Sequence, residues 1–74
     1  MADVRTKEIQ IVVNGQVRCV PERQTLAQLL VCLGIAGDRV AVELDRKIIR
    51  RQEWDATMVG PGATLEIVQF VGGG

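Results

Sequence analysis

A chain of 74 residues is one domain, and at that size folding buries only about 60% of the unfolded surface, so the core has to be closely patterned. A hydrophobic fraction of 47% supports such a core and excludes disorder, and 24% charged residues is ordinary for a globular chain. Nine basic and nine acidic residues cancel, with no basic block, which argues against nucleic acid or an anionic membrane as partner. The opening MADVRTKEIQ lacks the apolar stretch of a signal peptide, and no apolar run approaches the roughly 18–20 residues that span a bilayer. The expected location is the cytoplasm.

Residues 8–13, EIQIVV, read as a strand with Ile9, Ile11 and Val13 on one face. Asn14-Gly15 follows, the strongest short hairpin signal because both turn positions need positive φ. QVRCV at 16–20 is the return strand. A two-residue turn sets Val20 opposite Ile9 and Arg18 opposite Ile11, whereas simple alternation buries Val17 and Cys19; a bulge would reconcile the two, and the register stays open. Pro21 ends the strand. Thr25 and Gln28 form a T-x-x-Q capping box, and Leu26, Leu29, Leu30 and Leu33 make one apolar stripe, so 26–33 is a helix stopped by Gly34.

RVAVEL at 39–44 alternates as a third strand, Asp45-Arg46-Lys47 turns, and Ile48-Ile49 is a brief fourth strand. RQEWDAT at 51–57 suggests a helical or 3₁₀ turn around Trp54, which is expected to cover one end of the core beside the last strand. Gly60-Pro61-Gly62 is a loop without the Lys-Ser or Lys-Thr of a phosphate loop. TLEIVQF at 64–70 is the last strand. The order β-β-α-β-β-β describes an α+β roll, a mixed sheet of about five strands packed on one helix with the first and last strands side by side at its centre. That is the β-grasp arrangement. It gives one domain over 1–70 and a flexible glycine tail over 71–74. The core should hold Ile9, Ile11, Val13, Leu26, Leu29, Leu30, Val40, Val42, Leu65 and Ile67.

Catalytic groups are scarce. There is no histidine or tyrosine, and the carboxylates are scattered singly, as on a solvated surface. Cys19 and Cys32 are too far apart for a CxxC motif, make no metal site without histidine, and read as two small buried thiols. No metal or bound cofactor is expected, and a self-contained enzyme is improbable. What stands out is the end, FVGGG. If Leu65 and Ile67 face the helix, Val68 and Phe70 face water, and with Val71 they suggest a docking patch. Gly72 and Gly73 carry no side chains, so the segment can thread a narrow channel and present the Gly74 carboxylate to a nucleotide.

IVVNGQ at 11–16, TLAQLL at 25–30, RVAVEL at 39–44, RQEW at 51–54 and above all EIVQFVGGG at 66–74 resemble the ThiS family, the ubiquitin-like sulfur carriers of thiamine biosynthesis. The resemblance covers almost all of 8–74. It departs at Asp45-Arg46, where the family often has Asn-Gly, at Arg50, where it often has Pro, and in a longer stretch before the first strand. The resemblance implies that the Gly74 carboxylate, with a reference pKa of about 3.3–3.7 and so ionised at neutral pH, attacks the α-phosphate of ATP in a separate adenylating enzyme. A persulfide donor then converts the acyl-adenylate to a thiocarboxylate, and a thiazole synthase takes the sulfur. Two other uses of the same terminus stay open: sulfur delivery for molybdopterin or tRNA thiolation, and attachment to lysines as a protein modifier. A plain interaction module, with a dispensable tail, is the third.

Overall fold

The computed structural model describes residues 7–70. β1 (Glu8–Val13) and β2 (Gln16–Pro21) form a hairpin whose turn residues Asn14 and Gly15 have φ of 51° and 81°, the left-handed values a two-residue turn demands. Pairing runs unbroken from Glu8–Pro21 to Val13–Gln16, with Ile9 opposite Val20 and Ile11 opposite Arg18. The tight turn therefore decides the parity of β2. Val20 is buried at 3% exposure, Val17 is 64% exposed, and Cys19 lies in solvent, contrary to the buried thiol expected from alternation.

β3 (Gln24–Thr25) leads into α1 (Leu26–Cys32). The capping box is present: Gln28 N–H donates to Thr25 Oγ1 at 3.2 Å, and Thr25 N–H donates to Gln28 Oε1 at 2.9 Å. Gly34, at φ 75°, closes the helix as a Schellman cap, with Ile35 N–H donating to Leu30 O and Gly34 N–H to Val31 O. Leu26, Leu29 and Leu30 are buried, and Leu33 packs against them. Cys32 lies off that stripe and is exposed, so the expectation of a buried thiol fails here too.

A 3₁₀ turn (Gly37–Arg39) precedes β4 (Val40–Leu44), which pairs with β5 (Lys47–Ile49). A second 3₁₀ segment (Arg51–Ala56) carries Trp54 and is followed by β6 (Met58–Val59) and β7 (Thr64–Gln69). The main sheet is ordered β2-β1-β7-β4-β5, with β7 central, parallel to β1 and antiparallel to β4, as the β-grasp reading requires. The short β3 and β6, which the sequence reading did not assign as strands, pair as a separate two-stranded ladder, Gln24 with Val59 and Thr25 with Met58. This ladder ties the start of the helix to the segment after the second 3₁₀ turn, reinforced by Leu26 N–H donating to Thr57 O at 2.7 Å.

Eight of the expected core residues are buried: Ile11, Val13, Leu26, Leu29, Leu30, Val40, Val42 and Leu65. Ile9 and Ile67 are half-buried against them. Val20, Trp54, Val59 and Ala63 complete the core. Trp54 is buried, but not beside the last strand as the sequence reading expects. The neighbours that seat it are α1, Gly37 and the Ile49 carbonyl, which accepts the indole N–H at 3.0 Å, so it closes the helix side of the core.

Candidate functional site

The site grows from β7. Alternation along the strand turns Leu65 fully inward and Ile67 partly so, which sends Val68 and Phe70 to the opposite face at 57% and 56% exposure. The pairing of Val40 with Gln69 and the bond from Phe70 N–H to Arg39 O, 2.8 Å, hold the strand to its last described residue. The Val68–Phe70 pair thus stands in water on rigid backbone, as the sequence reading expects. Val71, Gly72, Gly73 and Gly74, the other expected site residues, lie outside the described residues.

Strand register adds what the sequence reading missed. Ala41 lies opposite Val68, and Ile48 of β5, 74% exposed, lies opposite Glu43. With Glu66 these residues line a shallow apolar depression on the outer face of the sheet. Glu43 and Glu66 face each other directly across β4 and β7, so these carboxylates are not scattered singly as the sequence suggests. Like charges in that position destabilise an isolated sheet, and a docked surface bearing a cation would relieve them. RVAVEL and TLEIVQF each show an outward Glu, but nothing in either segment says that the two strands are neighbours.

The rest of the described surface offers little chemistry. Among the described residues no group of three or more His, Cys, Asp or Glu could hold a metal ion, and no helix is long and apolar enough to cross a membrane. An open groove of about 250 Å³ runs between α1 and the Trp54 segment, with Arg51 and Asp55 at its lining. It holds no nucleophile or acid–base pair.

What remains is a β-grasp scaffold displaying one apolar strand that leads into a glycine tail. A family model described as the ThiS family matches residues 11–74. The chain belongs to the ThiS family. The match takes in β7 and the glycine tail as well as the scaffold. Among solved structures, the crystal structure of the thiamine biosynthesis protein ThiS from Geobacter metallireducens superposes with a TM-score of 0.78 at 35% identity, covering 89% of this chain and 100% of that one. A solution structure of a thiamine biosynthesis protein from the same organism gives 0.74 at 35% identity, covering 89% and 88%. Among curated proteins, the thiazole synthases of Paramagnetospirillum magneticum and Magnetococcus marinus are 36% and 33% identical over 66 residues. Each alignment covers 89% of this chain but 20% of the other protein, so this ThiS-family chain spans about a fifth of the length of the curated relatives it matches.

Proposed function

We propose that this chain is a sulfur carrier of thiamine biosynthesis and not itself an enzyme. A Gly74 carboxylate oxygen attacks the α-phosphorus of ATP held by a separate adenylating enzyme; pyrophosphate leaves and an acyl-adenylate forms. The terminal sulfur of a persulfide donor then displaces AMP, and a second thiol cleaves the resulting sulfur–sulfur bond, leaving a C-terminal thiocarboxylate. A thiazole synthase receives that sulfur. ATP is needed because a carboxylate oxygen is a poor leaving group until it is phosphorylated.

One observation carries the reading. The central strand of the sheet, clamped by neighbours on both sides, ends in an exposed Val68–Phe70 pair and leads into the tail that the ThiS-family match includes. Val68, Phe70 and Val71 dock on the adenylating enzyme while Gly72 and Gly73 pass through its channel. Glycines suit that passage because no Cβ widens the segment. The two thiazole synthases with a segment similar to this chain support such an enzyme as the recipient.

The test is ATP–pyrophosphate exchange with the adenylating enzyme of the same cell, followed by intact-mass analysis after addition of a persulfide donor. The chain ending at Gly74 should support exchange and gain the mass of one oxygen replaced by sulfur. A chain extended by one alanine should fold normally yet fall to background, because the reactive carboxylate becomes an amide and the new one sits about 3.5 Å further out. Wild-type exchange by the extended chain, or isopeptide adducts in place of the thiocarboxylate, would overturn the reading.

A further inference from the structure

β1 and β7 run parallel, and their ladder should end where β1 turns away at Asn14-Gly15. It does not. Val12 N–H donates to Ala63 O and Asn14 N–H to Leu65 O, both at 2.9 Å. The next bonds come from a side chain: Ile67 N–H donates to Asn14 Oδ1 at 2.7 Å, and Asn14 Nδ2–H donates to Ile67 O at 3.1 Å. A carboxamide has the same donor and acceptor as a peptide group, so Asn14 supplies one more peptide unit to β1 after the backbone has left. On the other side of β7 the β4 ladder continues to Gln69 and Phe70. Among the described residues the Asn14 carboxamide is therefore the last hold on the β1 side of the strand before the tail.

We infer that Asn14 is a positioning residue for the end of β7, fixing the direction in which the strand delivers the chain at Phe70. The inference rests on the carrier reading above. Adenylation needs the Gly74 carboxylate within reach of a phosphorus atom, and a displacement of about 1 Å can cost 100-fold in rate. A strand held on one side only would pivot about the β4 ladder, and the error would grow toward the terminus. The other hairpin supplies an internal control. Asp45, also left-handed at φ 50°, holds Thr64 by one side-chain and one backbone bond: Thr64 N–H donates to Asp45 Oδ1 at 3.0 Å, and the Asp45 backbone N–H donates to Thr64 O at 2.8 Å. That clamp sits at the start of β7, far along the strand from the tail.

Asn14→Gly keeps the positive-φ turn and removes only the carboxamide. Asp45→Gly likewise keeps its positive-φ turn and removes the carboxylate that accepts from Thr64 N–H, leaving the backbone bond from Asp45 N–H to Thr64 O in place. Both full-length variants are compared with wild type by amide hydrogen exchange and by ATP–pyrophosphate exchange with the adenylating enzyme. In Asn14→Gly the Ile67 amide should exchange about tenfold faster relative to Leu65. The kcat of adenylation should fall roughly 10- to 100-fold with little change in KM, because the docking face is intact and the reacting group is misplaced. Asp45→Gly should speed the Thr64 amide and leave kcat as it was. An unchanged Ile67 amide, a wild-type kcat in Asn14→Gly, or an equal loss in Asp45→Gly would each overturn the role of Asn14. A wild-type chain inert in the exchange assay would instead sink the carrier reading and the tail role together.

Discussion

Leu29 is fully enclosed, with no exposed surface, between the sheet and the rest of the core. Truncating it to alanine removes three heavy atoms from a site that has no open side into which neighbours can relax. Such sites fall in the upper half of the usual range of about 2–5 kcal/mol for buried Leu→Ala. At about 4–8 °C per kcal/mol for a domain of this size, a loss of about 3–5 kcal/mol lowers Tm by about 12–40 °C. A whole domain of this length has roughly 4–11 kcal/mol, so Leu29→Ala would remove a large share of its stability. Leu30 differs in one respect: it also lines the groove beside Trp54. Its truncation opens space continuous with solvent and should cost about 2–3 kcal/mol. Val31, on the same helix but 79% exposed, should cost under about 0.5 kcal/mol. The measurement is a thermal melt followed by far-ultraviolet circular dichroism and by the emission of Trp54, the sole tryptophan. Leu29→Ala melting within about 4 °C of wild type, or no lower than Val31→Ala, would refute the packing argument.

Gly37 has no room for a side chain: a Cβ there would lie 2.9 Å from Trp54 Cζ3, and the ring is pinned by its bond to Ile49 O. Gly37→Ala should therefore cost about 1–3 kcal/mol by overpacking and red-shift the Trp54 emission, and an unchanged spectrum and Tm would show that the ring is free to move. On the proposed carrier reading Phe70 would be a docking contact and not a reacting group, so Phe70→Ala should raise the KM of adenylation roughly tenfold with kcat nearly kept; a fall in kcat alone would mean that Phe70 does not touch the partner.

Much of this protein was legible in its sequence because the deciding interactions span few residues. Asn14-Gly15 takes left-handed φ wherever it falls between two strands, and the Thr25–Gln28 box with the leucine stripe makes a helix whose start, stop and buried face are all local. Alternation in TLEIVQ likewise determined that Val68 and Phe70 would share a face opposite Leu65.

Tertiary structure decided whatever depends on which strands become neighbours. Parity in β2 followed the turn and not the alternation, and so left Val17 and Cys19 in water. The two-residue β3 and β6 are too short to show a period and exist only because each gives the other a partner. Glu43 meets Glu66 because β4 and β7 pair in that register and no other. Asn14 reads locally as a turn residue; that its side chain reaches across to Ile67 becomes visible only once the chain has brought β7 to the centre of the sheet, 53 residues later. Backbone preferences are set by adjacent atoms, whereas register and cross-strand contacts are set by burial and hydrogen bonding between segments that the sequence keeps far apart.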